Sequence, residues 1–469
     1  MIFHPQNLKE TEGSYIFSGD LCATANSCLN KSIFREFWLN FTFQCSEIQI
    51  SESEEYIFRV GEEIEPLPLD GYDYSINIAE NGICVYAENE KNLISGFMSL
   101  IDRFNLIERS DSLAIEVASC EIRDRAMIKN RMVHFCVFPE TEIWELQRFV
   151  RLCASLRLTH IVLEFWGTLK LDAMAELSWS NGFSKDEIKP IIEEALALGL
   201  EIIPMFNHWG HAPQSRAMHG KHVVLDQNPG LQTYFSHDGW CWDIKKPKVK
   251  ELLSEIRKEL VGLCGAGDYF HIGCDEAYNF EFTKENIDYI CDYINEISEE
   301  MLKLGRRVIV WGDMFLYQHE HYNPKCRYTC NAPTPEFEEY SLSRLSKNIV
   351  IADWQYRAME APVETSLVFK KYGFDTLICP WDEGRAQIDS VLETVKNESF
   401  MGFLHTTWHT LSGGMQYVLI MALGGYENVE SFTTIGAYPQ VASQIRKVMP
   451  AVGEYEKAGW SKFDINYKW

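Results

Sequence analysis

No stretch of this 469-residue chain reaches the roughly 20 consecutive apolar residues that a membrane-crossing helix requires. The opening residues, MIFHPQNLKETEGSYIF, contain no basic leader followed by an apolar segment. With Met1 as the natural start, the expectation is a cytoplasmic protein. Basic residues are few, 43 against 68 acidic ones, giving a net charge of −25. A surface that acidic repels phosphate backbones and anionic lipid, so neither nucleic acid nor a membrane is expected as a partner. No G-x-G-x-x-G follows the first strand of the repeating region described below, and no Walker A motif appears, which removes the usual support for nucleotide-binding sheets. Long linkers, solenoid repeats and low-complexity tracts are also missing. The 14 cysteines form no disulfide framework. Many, such as Cys136, Cys153 and Cys379, sit inside apolar patterns, the usual place of buried free thiols. Cys326 and Cys330 lie in a polar loop without a second Cys/His pair at zinc-like spacing.

What is present is globular: 46% hydrophobic and 24% charged residues. The length suits two or three domains. Up to about residue 120 the rhythm is short strands and turns. Tyr74–Ile78 and Gly82–Tyr86 alternate apolar and polar residues around a turn at Glu80-Asn-Gly82, and Lys91–Ile101 has helical spacing. This predicts a small α+β domain over residues 1–125.

A different rhythm follows, assigned to residues 126–450, in which apolar strands alternate with amphipathic helices. The strand candidates are Met132–Phe138, His160–Phe165, Leu200–Phe206, Tyr269–Ile272, Arg307–Trp311, Asn348–Trp354, Asp375–Pro380 and Met401–Thr407. Helices are expected over Glu140–Leu156, Asp186–Leu198, Pro247–Leu263, Lys284–Leu304 and Ala386–Asn397. Ser184 and Glu187 make a capping box, and Gly199, Gly305 and Gly373 stand where a helix C-terminus needs positive φ. Alternation of this kind implies parallel strands, and eight of them suggest a (β/α)8 TIM barrel, with a doubly wound open sheet as the alternative. The tail 451–469 carries aromatics without a period and is left unassigned.

In such a barrel the chemistry sits where strands end. Six of the eight predicted ends carry tryptophan: Trp166, Trp209, Trp311, Trp354, Trp381 and Trp408. Sugar C–H faces stack on indole, and sugar hydroxyls need carboxylates, Arg and His, so this set suggests carbohydrate. The bland alternative is that some of these rings only close the top of the barrel. The sharpest element is Asp275-Glu276. Adjacent strand residues point to opposite faces, so both acids serve one site only if the chain bends, which Gly273 permits. Two close carboxyls repel, so one keeps a proton, giving a general acid beside a charge stabiliser. An ordinary helix cap beside a solvated Glu would look the same on the dipeptide alone.

The longer string His271-Ile-Gly-Cys-Asp-Glu276 resembles the H-x-G-G-D-E signature of family 20 glycoside hydrolases, the β-N-acetylhexosaminidases. Asn130-Arg131, following Ile122-Arg-Asp124, is similar to the run holding that family's sugar-gripping arginine. Ile202-Ile-Pro204 with Gly210-His211 is similar to its third strand and Gly-His turn. The resemblance covers most of residues 70–410. It implies exo-acting, retaining hydrolysis of terminal β-linked N-acetylhexosamine, with no metal and no cofactor. In that scheme the substrate's acetamide oxygen attacks the anomeric carbon and an oxazolinium replaces the glycosyl-enzyme. Glu276 would be the acid/base and Asp275 the group that orients the acetamide. Arg131 would grip hydroxyls, and Trp311, Trp354 and Trp408 would wall the pocket. Tyr356, or Trp381 with Asp382, would reach the acetamide oxygen and the O4/O6 side, and His211 would contact substrate.

The chain departs from the pattern at several points. Cys274 replaces a glycine, Asn207-His-Trp209 replaces an acidic run, and His409-Thr410 stands where an acid is usual. Arg216, His219, Lys221 and His222, in the loop Gln214–His222, suggest a sulfated or otherwise decorated hexosamine as an alternative substrate. His208/His211 and His219/His222 share i, i+3 spacing, but Gly210 interrupts the first pair and no metal is expected. Two rival readings remain. One is a glycosidase using Glu164 or Asp313 as a second carboxylate, and the other is a barrel that binds sugar without turnover.

Overall fold

The computed structural model describes residues 3–62, 64–110, 112–138, 141–165, 167–173, 175–212, 228–408, 414–427 and 434–448. Trp166, the loop Gln214–His222, His409-Thr410 and the tail 451–469 lie outside these residues.

The first region is one mixed sheet. Its strands are β1 (Asn7–Phe17), β2 (Gly19–Asn26), β3 (Ser46–Ser53), β4 (Ile57–Gly61), β5 (Tyr74–Ala79), β6 (Gly82–Ala87), β7 (Asn105–Arg109) and β8 (Ser112–Asp124). They run in the order β1-β8-β5-β6-β4-β2-β3, with β7 on β8. Only β2 and β3 pair in parallel, and the helix Ser32–Phe41 makes the crossover that parallel pairing demands. Its buried face, Phe34, Phe37, Trp38 and Phe41, and the helix Glu90–Ile101 supply the apolar layer under the sheet.

From Asn130 onward eight parallel strands close on themselves: β9 (Asn130–Cys136), β10 (His160–Glu164), β11 (Glu201–Met205), β12 (Tyr269–His271), β13 (Arg307–Trp311), β14 (Val350–Trp354), β15 (Asp375–Cys379) and β16 (Gly402–His405), the last pairing with β9. This is the barrel that the alternation implies, and not the open sheet. The expected punctuation is in place. Ser184 and Glu187 form the reciprocal capping box, and Gly199, Gly305 and Gly373 have φ of 76°, 77° and 82°. All fourteen cysteines carry free thiols, most of them buried.

Strand alternation sorts the side chains. Met132, Val162, Ile203, Met205, Ile309, Trp311, Val350, Ala352, Leu377, Cys379 and Leu404 form a closed cluster that fills the barrel. Their neighbours pack outward into the larger helix-facing core. Continuing the inward parity past each strand end leads to Asn207, Asp313, Tyr356, Trp381 and Trp408, which is how short strands deliver polar and aromatic groups to one face.

The opposite face seats the N-terminal sheet. Asp124, at the end of β8, accepts from Tyr74 Oη (2.9 Å) and Arg157 Nη1 (3.2 Å). The helix Thr434–Val448 packs on both regions, and its Gln444 donates to Asp102 at 3.2 Å.

Candidate active site

Strand β12 is only three residues long because the chain turns sharply after it. Gly273, Cys274 and Glu276 all have positive φ, at 66°, 76° and 49°. This breaks the strand alternation and lets Asp275 and Glu276 serve one site. Two glycines make the turn possible. A Cβ on Gly273 would lie 1.8 Å from Asn207 Oδ1, and one on Gly210 would lie 1.9 Å from the Asp275 carbonyl oxygen. The turn after β11 is thus pressed against the turn after β12. Cys274 adopts the same left-handed conformation without being glycine, a local strain on the order of 1 kcal/mol. It is fully buried, with Sγ 3.5 Å from the Ile272 carbonyl oxygen.

The two acids differ in surroundings. His211 Nε2 stands 2.9 Å from Glu276 Oε2 and 3.4 Å from Asp275 Oδ2. The Glu276 side chain is 24% exposed, whereas that of Asp275 is 9% exposed and its Oδ1 has no hydrogen-bond partner. Burial pushes the Asp275 carboxyl up to about 8; His211 opposes the shift, and the charges of Asp313 and Glu276 add to it. Asp313, also buried, is pushed up to about 7 by burial and by the Glu276 charge, against the donors that hold it. Those donors are Glu276 N (3.0 Å), Asn331 Nδ2 (2.8 Å) and Trp354 Nε1 (3.1 Å). On its other side the Glu276 backbone is fixed by Trp240 Nε1 (2.6 Å) and Tyr278 N (2.8 Å), both donating to its carbonyl oxygen. The acid/base candidate therefore sits on a backbone gripped from three directions.

An aromatic wall faces the acids. Trp354 and Tyr356 pack at 5.1 Å between ring centroids, Tyr356 and Trp381 at 5.2 Å, and Trp408 donates its indole N–H to Tyr356 Oη. Asp382 is half-buried beside Trp381, close to Gly414 at the start of the helix Met415–Gly424.

Residues 161–382, from β10 into the loop after β15, match the catalytic domain of glycosyl hydrolase family 20. The barrel is thus similar to a family 20 catalytic domain over just under half of the chain. A lacto-N-biosidase of Bifidobacterium bifidum is 20% identical over 257 residues, 51% of this chain but only 22% of that much longer protein. The family 20 exo-β-N-acetylglucosaminidase of Vibrio harveyi superposes on 100% of this chain, with 78% of its own length covered, a TM-score of 0.66 and 14% identity. The β-N-acetylhexosaminidase of Bacteroides fragilis matches over 99% of this chain and 98% of its own, at a TM-score of 0.63 and 15% identity. At such identities the structural likeness is one of fold.

Within this barrel, two expected sugar contacts are placed differently. Arg131 is the second residue of β9 and lies at the N-terminal end of the barrel, roughly 16 Å from the strand's far end at 3.3 Å per residue. Its guanidinium is buried and spent on the carbonyl oxygens of Ile128, Lys129 and Arg157 and on Tyr426 Oη. It braces the underside and does not grip a sugar. Arg131→Ala, which strands those buried acceptors, should cost about 2–4 kcal/mol of stability and leave KM for a glycoside within about twofold. A raised KM at unchanged Tm would return Arg131 to the sugar site. Trp311, in turn, has no exposed surface. It packs on His271 at 4.3 Å and lies beneath Trp408 at 5.9 Å, so it is the floor under the wall. His211 stands against the two acids from the protein side.

The rival carboxylates are occupied. Glu164 is wholly buried and meets His134 Nε2 (2.8 Å) and Asn207 Nδ2 (2.9 Å). Asp313 is 1% exposed with the three donors already named. Both are buried and held by donors within the protein. His134 and Asn207, which stack under and buttress the site, carry no sequence motif. Their one signal is a polar residue at an inward position of an apolar strand: Met132, His134 and Cys136 share β9's inner face, with His134 4.5 Å from the Trp408 ring. Among the described residues no group of three His, Cys, Asp or Glu is arranged to hold a metal, and no helix is long and apolar enough to cross a membrane.

Proposed function

We propose that this family 20 glycoside hydrolase releases terminal β-linked N-acetylhexosamine from the non-reducing end of glycans, with retention, through an oxazolinium formed from the substrate's own acetamide. The observation that carries the reading is the asymmetry of the acid pair. Asp275 Oδ1 is a buried carboxylate oxygen without a donor, next to the more exposed Glu276. An N–H delivered by substrate satisfies that oxygen, and the positive charge that develops on the acetamide nitrogen favours the ionised form of Asp275.

The steps balance without any other group. The acetamide oxygen attacks the anomeric carbon as the glycosidic C–O bond breaks, and the Glu276 carboxyl gives its proton to the leaving oxygen. The resulting Glu276 carboxylate takes a proton from water, which adds to the same face of the anomeric carbon and reopens the ring. His211 holds the Glu276 carboxyl in line for both transfers. Trp354, Tyr356, Trp381 and Trp408 form the pocket that folds the acetamide back under the sugar, which raises its effective concentration at the reacting carbon.

Release of nitrophenol from its β-GlcNAc and β-GalNAc glycosides tests the reading, with the matching β-glucoside as control. Turnover of one or both hexosaminides and none of the glucoside is expected, and the ratio of the two rates ranks the sugars. Hydrolysis of the glucoside at a comparable rate would remove the acetamide from the mechanism.

A further inference from the structure

The N-terminal end of the barrel holds a cavity that chemistry at the other end does not use. It measures about 460 Å³ and lies where the N-terminal sheet region meets the barrel. Small-molecule sites span about 300–1,000 Å³ and favour such joints. Lys91, in the first turn of the helix Glu90–Ile101, lines it from one region, and Lys129, just before β9, lines it from the other. The charge of the lining is opposite to that of the molecule. The whole chain has 43 basic and 68 acidic residues, whereas Lys91, Lys129, Arg131 and Arg157 here face only Asp73 and Asp268. Neither lysine ammonium has a hydrogen-bond or ion-pair partner among the described residues. Arg131 binds neutral acceptors alone, so no carboxylate cancels its charge. Arg157 gives Nη1 to Asp124, but its Nη2 is buried and has no partner. The backbone of Arg157 carries a second sign. It follows the helix Ile143–Ser155 with φ of 57°, in the position that Gly199, Gly305 and Gly373 fill after other helices. An arginine held where glycine would be unstrained is kept for its head group, and Asp124 accounts for only one end of it.

We propose that this cavity binds a phosphate group, with Lys91 and Lys129 as its donors from the two regions and the Arg157 guanidinium behind them. A doubly charged oxyanion supplies several acceptors to cationic donors that have none in the protein, and such bonds are the strong ones. Bound there, it ties the helix Glu90–Ile101 to the entrance of the first barrel strand. Asp73 and Asp268, in the same lining, are acceptors for hydroxyls of a phosphate ester. The site stands apart from Asp275 and Glu276, so it does not depend on the hydrolase reading above.

Calorimetric titration of the whole protein with inorganic phosphate and with glucose 6-phosphate, at constant ionic strength, tests the site. Saturable binding of at least one of them is expected. Tighter binding of the ester would mark a phosphorylated metabolite as the occupant, and equal or tighter binding of inorganic phosphate the free ion. In the double variant Lys91→Ala/Lys129→Ala the Kd should rise by about tenfold or more, and Lys91→Arg/Lys129→Arg should keep it within about threefold. Both lysines are exposed, so the alanine variant should fold and turn over the nitrophenyl glycoside as the parent does. Binding of neither anion by the parent, or a Kd unchanged in the alanine variant, overturns the proposal while the hydrolase reading stands.

Discussion

Glu276→Gln should lower kcat for chitobiose by about a thousandfold, within the range that removal of a general acid/base costs, while sugar binding persists. The amide keeps the shape that His211 and the Asp313-held backbone enforce, but it carries no proton to give. Nitrophenolate leaves without protonation, so the nitrophenyl glycoside should lose less in the first step than chitobiose does. That difference between leaving groups is the signature of an acid catalyst, measured by steady-state kinetics on the two substrates. Equal losses on both would assign Glu276 to holding the site together. Full activity would move the acid to another residue.

Asp275→Asn should abolish turnover and yet make the empty protein more stable at neutral and alkaline pH. A carboxyl whose folded pKa is raised, here to about 8 from an ordinary 3.8, favours folding while it is protonated. That contribution is full below the unfolded value and is lost as pH climbs through the folded one. The parent Tm should therefore decline between about pH 4 and pH 8. Asp313, pushed up to about 7 by its burial, adds to the slope. In Asp275→Asn the decline should be shallower and Tm at pH 8 higher by about 1–3 °C, by thermal unfolding across pH. The kinetic counterpart has the opposite sign. Asp275 must be ionised to receive the acetamide N–H, so kcat/KM, which reports the free enzyme, should fall as pH drops through about 8 to 7. The limb for kcat should lie lower, because bound substrate supplies the missing donor. Identical Tm profiles in parent and variant would show that Asp275 titrates as an ordinary carboxylate.

Period and punctuation made most of this fold legible. Barrel strands of three to seven residues and their glycine-terminated helices follow from apolar runs and from positive-φ positions such as Gly199 and Gly305. Among the described helices of the barrel region, four were not visible. Pro335–Arg344 and Glu364–Lys371 are short, at 10 and 8 residues, and Met415–Gly424 is apolar all round and buried, so it shows no amphipathic period. Thr434–Val448 carries Pro439 in its interior, which reads as a break. For the site, Asp275 and Glu276 and the wall residues Trp354, Tyr356, Trp381 and Trp408 were within reach, because strand ends and inward parity converge on one face. Arg131 was misplaced for the same kind of reason. A motif fixes a position along the strand, and β9 begins at Asn130, which sends Arg131 to the wrong end. Contacts between turns, such as Gly210 against the Asp275 carbonyl and His211 against both acids, depend on tertiary approach and leave no local pattern.

The central claim is that the substrate's acetamide, oriented by Asp275, is the nucleophile. It is tested most directly by kcat/KM for three aryl β-glycosides that carry 2-acetamido, 2-fluoroacetamido and 2-trifluoroacetamido groups. Each fluorine withdraws electrons from the carbonyl oxygen that must attack. A steep, monotonic fall across the series is expected. A flat response would mean that a protein group makes the bond to the anomeric carbon, and would contradict the account.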